Sequence, residues 1–246
     1  MEATKERKRQ HLPIALVTGD ARRDLAVLVG EQYEGAFLCR TLGEALGAAA
    51  ERGLLGVMLL SDGYPESLTA VDDGDARALR ESGLRYYIEY PAPSEALGVT
   101  GYGEAIPMGY ERAVVTQPEA FGLEMHSLLY IHGAMCLQKA DVSRALLVRA
   151  RVAGYDTADF GLSDCTPSCL LERTAAGDGL VAATRLSAFR MARYAPHGRL
   201  SAILTGILSF LVGRPVEAPS WEDAVRPRYR PEEPLPPAAY REAVRL

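Results

Sequence analysis

Three carboxylates stand where apolar runs end. Asp20 closes the run 13–20, Asp62 follows the run 55–60, and Glu89 lies near the end of 85–90. An open parallel sheet puts its ligand crevice at the C-terminal ends of its strands. Carboxylates gathered there can work as acid and base or hold a cation. The competing reading is that each caps a helix or closes a turn. His132 interrupts the apolar stretch 128–137 and precedes Gly133, which permits close approach of a ligand or of backbone. It can act as a general base oriented by Glu89 or Asp20, or be a hydrogen-bonded core histidine. Glu89 and His132 are the candidate catalytic pair.

Arg185, Arg190 and Arg193 follow the run 180–184 and gather with Tyr194 and His197. A guanidinium fork in such a place can clamp a carboxylate or a phosphate; a solvated basic loop is the alternative. Asp20, Asp62, Tyr90, Arg185 and Arg193 make up the candidate ligand-binding set around Glu89. No metal site is expected. His126 and His132 face the same way if extended, but about 20 Å would separate them. Cys165 and Cys169 would need two more zinc ligands, and only Cys39 and Cys136 remain. No cofactor is expected either, because the chain has no phosphate loop, no Gly-x-Gly-x-x-Gly after a strand and no Gly-x-Ser-x-Gly.

Composition narrows the partners. The chain has 246 residues and a net charge of −5, which argues against nucleic acid as a ligand. Its basic run, Lys5 to Arg9, reads as a solvated tail. No apolar run approaches the ~20 residues of a membrane helix. The apolar stretch 12–17 contains Pro13 and is too short for a signal peptide. Four scattered cysteines fit a reducing compartment, so a cytoplasmic location is expected.

The elements that must position these residues alternate. Strands are expected at 13–20, 36–39, 55–60 and 85–90, and helices at 21–32, 42–52 and 72–81. Thr41 and Glu44 have capping-box spacing before the second helix, which closes at Gly53. Continuously apolar strands between helices indicate a parallel sheet covered on both faces. A glycine-rich stretch, 94–108, reads as a long surface loop. Further strands are expected at 112–116, 128–137 and 146–152. The runs 169–172 and 180–184 flank Gly177-Asp178-Gly179, a hairpin signal. Apolar residues at 200, 203, 204, 207, 208 and 211 line one face of a last helix, 200–212. Seven prolines between 214 and 237 rule out regular structure there. The expected organisation is a tail (1–12), an α/β domain (13–213) and a proline-rich arm (214–246). The fold class is α/β and three-layered, with a mixed, mostly parallel sheet.

The strand ending in Gly19-Asp20, the late Ala153-Gly154-Tyr155-Asp156, and the Gly-x-Gly hairpin running into Gly179-Leu-Val-Ala-Ala-Thr184 form a pattern. It resembles the flavodoxin-like class I glutamine-amidotransferase-like superfamily over 13–213. The branches it is most similar to are catalytically degenerate: the trimerisation domain of bacterial β-galactosidases and the ThuA-like proteins. Catalytic members carry a cysteine, flanked by glycines, on a tight strand-to-helix turn. Here the corresponding strand ends Ile88-Glu89-Tyr90-Pro91, with neither Cys nor Gly. The resemblance therefore implies the fold without the amidase chemistry. The expected function is binding of a small polar ligand, with carbohydrate among the candidates, and assembly into homo-oligomers. The alternative is a hydrolase or lyase acting on a sugar or small acid through Glu89 and His132.

Overall fold

Ile14–Val17 and Gly56–Leu59 are apolar runs with almost every residue buried. Such runs form strands only where both faces of a sheet are covered. In the computed structural model, which describes residues 9–109, 112–131, 133–189 and 197–219, they lie side by side. In chain order the elements are β1 (Gln10–His11), β2 (Ile14–Val17), α1 (Asp24–Gln32), β3 (Tyr33–Glu34), β4 (Phe37–Cys39), α2 (Leu42–Arg52), β5 (Gly56–Leu59), α3 (Asp73–Ser82) and β6 (Arg85–Glu89). Then come β7 (Ala105–Pro107), β8 (Arg112–Val115), β9 (Leu128–Leu129), β10 (Met135–Leu137), β11 (Ala145–Ala150), β12 (Ser168–Arg173), β13 (Gly179–Ala182) and α4 (His197–Val212).

The main sheet has nine strands in the order β4-β2-β5-β6-β13-β12-β11-β8-β9. From β4 to β13 all neighbours are parallel, and from β13 to β9 all are antiparallel. The sheet is thus mixed, its two halves joined at β13. Taken in chain order, the five parallel strands stand 2-1-3-4-5, with a switch point between β2 and β5. Leu25 and Leu28 of α1 and Leu204 and Leu208 of α4 pack with Leu16, Met58 and Tyr87 on one face. Leu42 and Ala45 of α2 and Ala76 and Leu79 of α3 pack with Val57, Leu59 and Ile88 on the other. Three layers result.

Local signals explain most boundaries. Thr41 Oγ1 accepts from Glu44 N at 3.2 Å, and Glu44 Oε2 accepts from Arg40 N at 2.8 Å. Gly53 and Gly83 end α2 and α3 in the left-handed region, with φ of 60° and 71°, where a Cβ would be strained. The β12–β13 hairpin forms as the glycines require.

Other segments depart from expectation. The helix expected from 21 starts at Asp24, because Asp20 folds back on Arg22 instead of capping it. The stretch expected as one strand, 128–137, is two short ones in different sheets. The expected surface loop 94–108 buries Leu97 and Val99 and ends in β7, paired with β10. Leu12 is fully buried and β1 pairs with β3, so the folded body begins before residue 13. Residues 220–246, most of the expected arm, lie outside the described residues. Its first part packs on the domain: Arg214 donates to His11 O and Tyr33 OH donates to Glu217 O.

The close seating of α4 on the sheet yields a prediction. A Cβ at Gly56 would stand 2.8 Å from Leu211 Cβ, 2.9 Å from Leu211 O and 3.1 Å from Arg85 O. Two of these are backbone atoms that cannot turn aside. Gly56→Ala is expected to cost about 1–3 kcal/mol through overpacking, read as a lower urea midpoint; an unchanged midpoint would contradict the packing.

Candidate functional site

The C-terminal ends of β5, β6 and β13 meet around Glu89. The strand alternation that turns Glu89 to one face also turns Tyr87 there, and the Tyr87 hydroxyl donates to Glu89 Oε1 at 2.8 Å. Past β13, Leu186 N and Ser187 N donate to the same oxygen at 3.0 and 2.8 Å. Oε2 accepts from Ser187 Oγ at 2.7 Å and from Ser61 Oγ and N at 3.3 and 3.4 Å. Glu89 is completely buried. Burial raises its pKa above the ordinary carboxylate value, against the lowering effect of the Ser187, Tyr87 and Ser61 donors. It lashes three strand ends together and offers no surface to solvent.

Tyr90 is the next residue, and it turns the chain sharply. Its φ is 46°, a left-handed value unusual for a residue with a Cβ. Flanking hydrogen bonds hold it: Tyr90 N donates to Ala182 O and Thr69 N donates to Tyr90 O, both at 2.8 Å. Its buried ring meets Tyr64 edge-on, with centroids 4.9 Å apart. Burial raises the Tyr90 pKa.

Tyr64 in turn bonds to Met135 through its hydroxyl, donating to Met135 O at 2.7 Å and accepting from Met135 N at 2.6 Å. Thr184 Oγ1 lies 3.1 Å away. The Arg185 guanidinium lies over the Tyr64 ring, 4.7 Å from its centroid. Gly133 completes this wall, because a Cβ there would run into Thr184 Oγ1 and press on the Tyr64 hydroxyl.

Asp62 and Asp20 belong to a separate cluster at the β2–β5 switch point. Asp62 accepts from Thr18 Oγ1 and Gly19 N, both at 2.5 Å, and its Oδ1 lies 3.5 Å from Arg23 Nε. Asp20 pairs with exposed Arg22 at 3.0 Å, and that hydrogen bond lowers its pKa. A cleft of about 340 Å³ opens beside Asp62, lined also by Arg40, Thr41, Thr69, Asp72 and Asp75. Thr18 bonds to both Asp62 and Asp20, whereas the partners of Glu89 are Ser61, Tyr87, Leu186 and Ser187. Among the described residues no group of three His, Cys, Asp or Glu side chains could hold a metal ion, so the cation reading of Asp20, Asp62 and Glu89 is corrected.

The structure thus brings Glu89, Tyr90 and Arg185 to one set of strand ends and leaves Asp20 and Asp62 at another. His132 and Arg193, with Arg190 and Tyr194, lie outside the described residues. His126 is not in a strand; its φ is 60° and it precedes β9. Sequence reasoning missed Tyr64, Thr184, Ser61, Ser187 and Tyr87. Only Tyr87 carried a readable signal, its two-residue spacing from Glu89. No helix among the described residues is long and apolar enough to cross a membrane.

The sequence matches no protein-family model and no curated protein. Among solved structures the chain is similar to the crystal structure of Agd3, a carbohydrate deacetylase, with 9% identity and a TM-score of 0.51. The match covers 83% of this chain and 32% of that one, so the chain spans about a third of its length. At that identity the likeness is one of α/β fold.

Proposed function

We propose that the chain is a ligand-binding α/β domain of amidotransferase-like architecture without amidase chemistry, and that it takes a small polar ligand, a carbohydrate, at the ends of β5, β6 and β13. The observation that carries this reading is the Tyr64–Tyr90–Arg185 group. The group gathers two aromatic rings, a guanidinium and a hydroxyl at one set of strand ends, the residue types that sugar recognition uses. A binding role also fits the turn after β6, which presents a buried tyrosine where a nucleophile would stand. The hydrolase or lyase alternative asks Glu89 to exchange protons with a substrate, yet both its oxygens are engaged and buried. Carbohydrate as the ligand class draws further support from the activity named for Agd3.

A thermal-shift screen of neutral, acidic and N-acetylated sugars, paired with a deacetylation assay, tests the proposal. A sugar present at ten times its Kd should raise the midpoint by about 2–4 °C, with no turnover. No shift from any sugar at millimolar concentration would overturn the binding reading, and turnover abolished by Glu89→Gln would favour the enzyme. Self-association belongs to the same proposal: Tyr155 and Phe160, 90% and 72% exposed, are large apolar surfaces for a second copy to cover. Light scattering showing a monomer at high concentration would remove that part.

A further inference from the structure

A second cleft opens at the other end of the sheet, where β6 and β13 begin and α4 ends. Its volume is about 330 Å³, and Arg85, Arg173 and Arg214 line it beside Phe121, Leu180 and Phe210. Among the described residues no carboxylate lines it. In a chain of net charge −5, three cations around one recess reverse the sign locally. All three arginines are exposed, so an anion reaches them directly from solvent.

One ring holds two of the guanidiniums. Arg85 and Arg173 lie 5.4 and 5.3 Å from the Phe210 centroid, within reach of cation–π attraction. Arg85 also donates Nη1 to Phe210 O at 2.7 Å and lies against Gly213, where a Cβ would stand 3.1 Å from that nitrogen. Arg214 donates Nη2 to His11 O at 2.8 Å.

Service to the end of α4 accounts for only part of this. The last carbonyls of a helix carry partial negative charge and attract a cation, and Arg85 meets that need. The Arg173 guanidinium lies on the ring and bonds to no acceptor among the described residues. Acids beside the cleft in sequence are engaged elsewhere. Glu172 takes Lys139, and Asp178 takes Arg80 and the Thr174 hydroxyl. Like charges gathered without a counter-charge repel, and a recess lined by one sign concentrates ions of the other.

We propose that this cleft binds the phosphate group of a small soluble molecule, received by Arg173 and Arg214. Guanidinium forks match phosphate oxygens in pairs. A phosphomonoester carries about 1.5–2 negative charges at pH 7, which answers several cations better than a single carboxylate does. Phe121 and Leu180 supply an apolar wall for the rest of the molecule, and the volume suits a small ligand. The site is separate from the carbohydrate site at the opposite strand ends and stands or falls without it.

The probes are pyrophosphate, inorganic phosphate and citrate, titrated by calorimetry into the full chain, with phosphatidate vesicles as a further arm. Pyrophosphate should bind with a Kd below about 1 mM. Arg173→Met and Arg214→Met should each weaken it about tenfold or more, and Arg173→Lys should recover only part, since an ammonium keeps the charge but loses the fork. Arg77→Met removes an equal charge from exposed α3, on the opposite face of the sheet, and should change nothing.

No binding of either phosphate at millimolar concentration would overturn the proposal. Equal weakening by Arg77→Met would overturn it as well, by reducing the effect to overall charge. Citrate binding more tightly than pyrophosphate would refute the phosphate assignment, and binding to vesicles alone would refute a soluble ligand. Unchanged melting without ligand excludes misfolding of a variant, and Arg214→Met repeats the test should Arg173→Met disturb β12.

Discussion

Glu89→Ala is expected to lower the unfolding free energy by about 3–5 kcal/mol, the largest effect of any single change at the strand ends. Six donor contacts converge on this carboxylate, from Ser61 N and Oγ, Tyr87 OH, Leu186 N, and Ser187 N and Oγ. Each buried donor left unmet costs about 1–3 kcal/mol, though the sum is not additive, because hydroxyls can rotate to new acceptors. The backbone N–H groups of Leu186 and Ser187 cannot rotate. Their segment leads back to Arg185 on one side and, on the other, to Phe189, whose N–H donates to Asp24 at 2.7 Å. Loss of Glu89 should therefore loosen Arg185 as well as the fold. Urea unfolding with an unchanged m-value is the measurement; a cost under about 1 kcal/mol would mean that Glu89 is not the tie between these strands.

The same carboxyl should leave a mark on the pH dependence. Burial holds its folded-state pKa above the ordinary value. Between those two pKa values the folded protein binds a proton that the unfolded chain has released. Its favourable contribution is then complete below the ordinary carboxylate pKa and is lost as pH rises through the folded value. Unfolding free energy of the unaltered protein, minus that of Glu89→Gln, should fall across this window. A difference that rises with pH would reverse the sign and contradict the burial argument.

How far the chain could be read in advance depended on distance along it. The α2 cap at Thr41, the glycine stops at 53 and 83, the hairpin at 177–179 and the apolar face of α4 are local patterns, and each stands as its residues require. The apolar ends of β2, β5 and β6 located the carboxylates correctly along the chain. What those carboxylates do was not legible, because their partners come from far away. Asp62 turns to Thr18 and Gly19, 44 and 43 residues earlier, and Glu89 to Ser187, 98 residues later. The antiparallel half was harder still. The runs 112–116, 146–152 and 169–172 do stand as β8, β11 and β12, but their antiparallel pairing is not written in them, and β9 has only two residues, too few for any period to show. Tyr90 could not be picked out as left-handed either, since sequence offers no signal for a residue forced into that region by its neighbours.

Lys139→Met is expected to cost about 3–5 kcal/mol, whereas the double change with Glu172→Leu should recover most of that loss. The Lys139 ammonium and the Glu172 carboxylate are almost wholly buried, with side chains 3% and 2% exposed and 2.5 Å between Nζ and Oε1. Lys139 Nζ also donates to Thr100 O at 2.9 Å and lies 4.7 Å from the Tyr102 ring centroid. The Tyr102 hydroxyl donates to the same Glu172 oxygen at 2.9 Å. Arg144, 3.8 Å from the other oxygen, is partly exposed and too weakly placed to replace the lysine. Removing Lys139 alone thus strands a carboxylate between β12 and the loop carrying Tyr102. It would also remove a cation that opposes the rise in the pKa of Cys169, whose thiol burial and Glu172 push up to about 12. Removing both charges leaves only neutral groups, the Tyr102 hydroxyl and Thr100 O, without these partners, because the desolvation cost of the charges disappears with the ion pair. A double-mutant cycle on urea midpoints separates the cases. If the double variant is as unstable as the single one, the pair contributes through packing, and the charge argument fails.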